Sequence, residues 1–243
     1  MVGTPCKSCP LRACSLFTPM DDDEVSFTQS IKRGELQVLR GTTLLLEGAA
    51  SPQLFTVLSG MGIRYKTLED GRRQVLNFVF PGDFIGLQAG LMGEMKHSVE
   101  AVTPMTLCVF GREDLWTMFR TSPERAFDMT WLAAIEEHFL GETIASLGQR
   151  DARERICWAI VRVFVRLRAL GLASKNQAQV PFRQQHLADA LGLSLVHTNK
   201  TLQALRRDKL LRWSEGVMVI EDLGRLADIA MIDLEKPETR PLL

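Results

Sequence analysis

The sequence predicts an α+β protein: an N-terminal β-jelly roll, a long amphipathic helix and a C-terminal winged helix-turn-helix. Three observations predict it. From about residue 34 to residue 111, short runs of β-forming residues alternate with glycine and proline turns. Beyond residue 123 the apolar period lengthens to that of a helix. The 29 Lys+Arg and 29 Asp+Glu cancel over 243 residues, but not locally: residues 1–150 carry −4, residues 151–213 carry +8, and residues 214–243 carry −4. A basic block between two acidic ones is the footprint of a module that meets a polyanion, joined to another domain.

In the first region, "TTLLLEG" (42–48), "QLFTVLSGMGIRYKTL" (53–68), "RQVLNFVFPGDFIG" (73–86) and "HSVEAVTPMTLCVFG" (97–111) read as strands. Gly41, Gly48, Gly60, Asp70-Gly71 and Pro81-Gly82 separate them, and Asp-Gly between two strands is a hairpin signal. Several short strands at this spacing suggest a jelly roll.

From Pro123 to Leu147 there is no internal proline and no glycine before Gly141. Met129, Ala133, Leu140 and Leu147 recur four or seven residues apart, with Glu136 and Thr143 interrupting. The stripe predicts a long helix, either packed in a core or paired with a second copy through an imperfect seam. Residues 152–170 predict another helix, apolar on one side and arginine-rich on the other, stopped by Gly171. "LASKNQAQ" reads as a polar connection.

Arg183 to Asp208 carries the strongest motif, "RQQHLADALGLSLVHTNKTLQALRRD". Leu187, Ala188 and Leu191 mark the buried side of a short helix, Gly192 makes the turn, and Ser194 caps a second helix. Leu195, Thr198, Leu202 and Leu205 face inward. Val196, His197, Asn199, Lys200, Gln203, Arg206 and Arg207 are left outward, the layout of a recognition helix entering double-stranded DNA. "LRWSEGVMVIED" then folds back at Ser214-Glu215-Gly216 as the wing. Two generically packed helices share the apolar pattern, but not the basic face and the wing.

Five cysteines are present, three of them in "CKSCPLRAC" as Cys6, Cys9 and Cys14, the others being Cys108 and Cys157. Their spacing leaves an iron–sulfur centre, a structural zinc or no metal open. Cys108 lies in an apolar strand, where a free thiol is commonly a small core residue, and Cys157 reads as core.

Roll, long helix and winged helix in that order resemble the Crp–Fnr superfamily of bacterial transcription regulators. The most specific stretches are "PGDFIGLQAGLMGEMKHSVEAVT" and "HLADALGLSLVHTNKTLQALRRDKLLRW". The resemblance implies a cyclic-nucleotide-binding-like sensor domain, a homodimer on a two-fold-related operator and RNA polymerase as a further partner. It divides the chain into a cysteine segment (1–20), roll (21–120), dimerisation helix (121–150), DNA-binding domain (151–225) and C-terminal tail (226–243). Dimerisation would then use Met129, Ala133, Glu136, Leu140 and Leu147, with Glu136 facing its symmetry mate.

The resemblance to the Fnr branch implies a [4Fe-4S] cluster held by Cys6, Cys9, Cys14 and Cys108, making the regulator responsive to oxygen through its dimerisation. The second cysteine spacing is one residue shorter than in the best-known members. The alternative is a regulator without a cluster that senses a small molecule in the roll. Cyclic AMP (cAMP) is not expected as that molecule, because His97-Ser98 stands where cAMP-binding members place arginine and serine, and a neutral imidazole is no bidentate cation. In the recognition helix the usual Glu and Arg are replaced by Val196 and Lys200, which implies a changed operator.

Enzyme activity is not expected. The histidines are His97, His138, His186 and His197, spread over three regions, and no phosphate loop or nucleophile elbow occurs. No apolar run approaches the ~18–20 residues of a membrane span and no signal-peptide layout opens the chain, so a cytoplasmic location is expected.

Overall fold

The computed structural model describes residues 3–234 and 238–243; residues 1–2 of the expected cysteine segment and 235–237 of the expected tail lie outside the described residues. The chain forms two units. One runs through Leu68, resumes over Leu76–Glu137 and includes Thr239–Leu243; the other comprises Glu69–Val75 and His138–Glu238.

In the first unit, short 3-10 turns at Cys6–Ser8 and Pro10–Ala13 lead to α1 (Asp22–Ile31). The sequence reading missed α1, although Asp21 and Glu24 form a reciprocal capping box, a local signal for its start. The strands are β1 (Lys32–Val38), β2 (Thr43–Leu45), β3 (Gln53–Ser59), β4 (Gly62–Thr67), β5 (Arg73–Val79) and β6 (Phe84–Ile85). After α2 (Leu87–Met92) come β7 (Ser98–Ala101) and β8 (Met105–Gly111).

They make two four-stranded sheets, ordered β1-β8-β3-β6 and β2-β7-β4-β5. Val57, Val79, Val99, Ala101 and Leu107 bury their side chains in the core of the roll, as period-2 strands with one inward face require. Next come α3 (Asp114–Thr121) and α4 (Pro123–Gln149). A second core joins Leu54, Cys108 and Phe110 of the β1-β8-β3-β6 sheet to Leu115 and Met118 of α3 and to Ala126, Met129 and Leu132 of α4.

The second unit is built on α5 (Ala152–Ala169), which buries Ile156 through Val161, Val163, Phe164 and Leu167. "LASKNQAQ" is a hairpin rather than a plain connection: β9 (Ala173–Ser174) and β10 (Gln177–Gln179) pair around Lys175-Asn176, with Lys175 at φ +54°. Then follow α6 (Gln184–Leu191), α7 (Leu195–Arg207), β11 (Leu211–Ser214), β12 (Val217–Ile220) and α8 (Leu223–Ala230). The third sheet is ordered β11-β12-β10-β9. Thus the expected boundary at 225/226 falls inside α8, and residues 239–243 lie in the first unit.

Candidate nucleic-acid interface and cysteine site

The helix-turn-helix is fixed by local chemistry. Gly192 closes α6 in the left-handed region at φ +62°, where a side chain would be strained. Leu193 N–H donates back to the Ala188 carbonyl at 3.1 Å, and Ser194 Oγ accepts from His197 N–H at 3.2 Å to start α7. Thr198, Thr201, Leu202 and Leu205 are buried, so the inward face is as read except that Leu195 is partly exposed and Thr201 joins it.

The opposite face presents Val196 (78% exposed), His197, Asn199, Lys200, Gln203, Arg206 and Arg207. Among the described residues no ion pair or side-chain hydrogen bond engages Lys200, Arg206 or Arg207. The helix thus offers two amides and a methyl-bearing side chain for base edges and three cations for phosphates. Glu215 and Gly216 at φ +52° and +77° make the tight turn of the wing.

Two of the expected dimerisation residues have partners within the chain. Met129 is 2% exposed inside the core that joins α4 to the roll. The Glu136 carboxylate accepts from Arg64 Nη1 at 2.7 Å and Asn77 Nδ2 at 3.3 Å, so within the chain it answers a buried cation on β4. Leu147 is half-buried, whereas Ala133 and Leu140 are exposed. The reason is geometric: α4 packs one side against the roll, and a different set of residues is left exposed. Those are Phe127, Thr130, Ala134, Glu137, Gly141, Ile144 and Gly148, all exposed and spaced alternately by three and four. That is a 3.5-residue repeat, flanked by Ala133 and Leu140.

The cysteine segment is laced to α1 and β1. Cys6 N–H donates to Gln29 Oε1 at 2.8 Å, Thr4 N–H donates to Glu35 Oε1 at 2.7 Å, and Lys32 Nζ donates to the Thr4 carbonyl at 2.6 Å and Glu35 at 2.9 Å. A register shift between Lys32 and Gly34 breaks the alternation of β1, and Glu35 stands directly opposite Cys108 on β8. The Lys32 side chain, 4% exposed, is close enough to Cys6 and Cys108 to favour both thiolates, and the neighbouring Cys9 opposes both.

Burial pushes the Cys108 thiol up to about 11, partly opposed by the Lys32 ammonium; burial also raises Cys6. Cys14 ends the second 3-10 turn, its carbonyl accepting from Phe17 N–H at 3.1 Å. Among the described residues no three Cys, His, Asp or Glu side chains converge closely enough to hold a metal as they stand. Cys6, Cys9 and Cys108 nonetheless share one neighbourhood beside the buried Lys32 ammonium, with Cys14 on the same short segment as Cys6 and Cys9. Cys157 is buried in α5 and pushed up to about 12 by that burial, as a core thiol is.

In the roll, Ser98 Oγ accepts from Glu47 N–H at 3.0 Å, and His97 is lowered to about 4 by burial and the nearby Arg64. The imidazole is neutral near pH 7. Neither Lys32 nor Arg64 is singled out by the sequence; an arginine inside a strand pattern is the available signal for Arg64, whereas Lys32 precedes the runs that read as strands. No helix of the described residues is long and apolar enough to cross a membrane.

Residues 35–122 match the family model of the cyclic nucleotide-binding domain, and residues 154–229 that of the Crp-like helix-turn-helix domain. The chain is 28% identical to the nitrogen fixation regulation protein FixK of Bradyrhizobium diazoefficiens, over 94% of each chain. It is 27% identical to the transcriptional activator protein FnrL of Cereibacter sphaeroides, over 93% of this chain and 91% of that one. The solved structure of FixK2 from Bradyrhizobium japonicum superposes with a TM-score of 0.74 at 23% identity, covering 80% of this chain and 96% of that one. The roll, the long helix and the helix-turn-helix are thus shared features, and the chain belongs to the Crp–Fnr family of DNA-binding transcription regulators.

Proposed function

We propose that this regulator binds a two-fold-related operator as a homodimer and that the cysteine segment makes its dimerisation responsive to oxygen. The observation that carries the proposal is the common neighbourhood of Cys6, Cys9 and Cys108 around the buried Lys32 ammonium. Cys6, Cys9, Cys14 and Cys108 would hold a [4Fe-4S] cluster, each as thiolate; when bound, such a cluster supplies an oxygen-labile clamp. Lys32 places a positive charge where thiolates must form, which favours their deprotonation on metal binding.

Cys108 shares one core with Ala126, Met129 and Leu132 of α4. A change in how β8 is held therefore reaches the helix that carries the exposed seam. Pairing of two such helices aligns two copies of α7 on successive major-groove faces. RNA polymerase is the further partner this reading carries.

The alternative, a small molecule in the roll, finds less support: its interior is filled by Phe55, Val57, Met95, Val99 and Leu107, and Arg64 is committed to Glu136 and to the Phe84 carbonyl at 3.1 Å. The test is anaerobic reconstitution with iron and sulfide, followed by metal and labile-sulfide analysis and visible absorption. Stoichiometric iron and sulfide, lost in Cys108→Ser and on exposure to air, is the expected result. Failure to incorporate iron, with wild-type oxygen response in Cys9→Ser and Cys108→Ser, would favour the ligand-sensing alternative.

A further inference from the structure

Residues 239–243 are built into the sensor unit at several points. Arg240 pairs with Phe17 in a parallel bridge: Arg240 N–H donates to the Leu16 carbonyl and Thr18 N–H to the Arg240 carbonyl, both at 2.9 Å. The Arg240 guanidinium lies 3.2 Å from the buried carboxylate of Asp83, which also accepts from Phe80 N–H at 2.8 Å. The Leu242 carbonyl accepts from Arg125 Nη1 at 3.0 Å, and the Leu243 carbonyl from Thr56 Oγ1. Leu242 and Leu243 are both buried, Leu243 beside Leu54, Phe84, Phe110, Leu115 and Met118.

We propose that this tail is a clip: it docks in a slot of the sensor unit and holds the cysteine-bearing segment against the roll, so that freeing the segment and undocking the tail are one coupled event. The slot commits to this occupant by shape and charge. Two leucines fill its apolar part, an arginine meets its buried carboxylate, and the backbone of Leu16–Thr18 supplies the edge to which the tail adds. Phe17 is itself buried over Gly82, where a side chain would collide with its ring.

The coupling follows from shared partners. Loss of the tail removes a hydrogen-bonding edge from Leu16–Thr18 and uncovers the flank of Phe17; loss of the segment removes the same bonds from Arg240. The chain reaches the tail from the DNA-binding unit, to which residues through Glu238 belong. The tail is thus covalently continuous with that unit and hydrogen-bonded to the end of the cysteine segment. It concerns the polypeptide alone and holds whether or not the cysteines bind metal.

The test is amide hydrogen exchange, read by mass spectrometry on the full chain without iron. In Arg240→Gln, and more strongly in Leu242→Asp/Leu243→Asp, exchange over residues 14–18 should rise on the order of tenfold while α5 and α7 stay protected. By reciprocity, Phe17→Ala should raise exchange over residues 239–243 by a similar factor. A peptide of residues 238–243 added to the double-aspartate variant should restore protection at residues 14–18.

Unchanged exchange at residues 14–18 in Arg240→Gln, together with unchanged exchange at 239–243 in Phe17→Ala, overturns the clip. If the double-aspartate variant does not fold, that milder pair decides alone. Because no metal is present, either outcome is independent of the cluster reading.

Discussion

Ile144 offers a sharp test of where two copies of α4 meet. Its side chain is 70% exposed, one repeat from Glu137 and close to the small residues Gly141 and Gly148, where two helices can approach closely. Ile144→Ala removes three carbons per chain and six per symmetric dimer. At ~0.8 kcal/mol for each buried carbon, full burial corresponds to about 5 kcal/mol, and burial of under half of that surface to about 2 kcal/mol. The dimer Kd should therefore rise by about thirtyfold to a few thousandfold.

Met129→Ala is the matched control. Met129 is buried against the roll, so its truncation should cost about 2–5 kcal/mol of folding stability. It should leave association of the folded chain unchanged. Sedimentation velocity over a wide concentration range separates the two, with thermal unfolding run alongside. If Ile144→Ala associates like the wild type while folded Met129→Ala becomes monomeric, the seam runs along Met129 and Leu147 and the packing argument is wrong.

Three further outcomes are expected. Lys200→Ala should weaken binding to all duplexes alike and reduce the salt slope by about 1, whereas Asn199→Ala should cost ~1–3 kcal/mol at one base pair only; a uniform effect of Asn199→Ala measured across a set of duplexes would remove its base-reading role. His97, held near 4 by burial and the Arg64 charge, binds fewer protons folded than unfolded between about pH 4 and 6.5. Stability should be full above that window and fall as pH drops through it, by at most about 3 kcal/mol and less with solvent screening. The drop in urea midpoint should vanish in His97→Gln, and an identical drop there would assign it to other groups. Ser194→Ala should cost about 1 kcal/mol by unsatisfying the first turn of α7, with Ser194→Asp restoring it; calorimetry in which the two variants melt alike would dismiss the cap.

What could be read from sequence was what short-range chemistry decides. Gly192, Ser194 and Thr198 place the two DNA-binding helices because a left-handed turn, a hydroxyl cap and an inward face act within one or two helical turns. The Asp21–Glu24 capping box and the Lys175-Asn176 turn are equally local and went unread, so α1 and the β9–β10 hairpin were legible but missed. Other features had no local signal. The long helix has two apolar faces, one for the roll and one exposed, and a stripe of apolar residues does not say which is which. Arg64 and Glu136 are 72 residues apart, and only the packed fold makes them partners. Arg240 and Asp83 are similarly remote, and nothing in "ETRPLL" marks it as part of the sensor unit.

The zero net charge bears on why dimerisation is a fitting point of control. Each recognition helix offers three cations with no intramolecular partner among the described residues, Lys200, Arg206 and Arg207, and the flanking segments of the chain are acidic. Three phosphate contacts correspond to a salt slope of about −2.7, and six, from two aligned helices, to about −5.4. A single copy therefore has few phosphate contacts, while two copies gain contacts together. Had the chain been basic throughout, monomers would coat any duplex and pairing would change little. Under the proposed function, acidic surroundings that oppose monomer binding would let a modest shift in the α4 association, set by how β8 and the cysteine segment are held, become a large shift in operator occupancy.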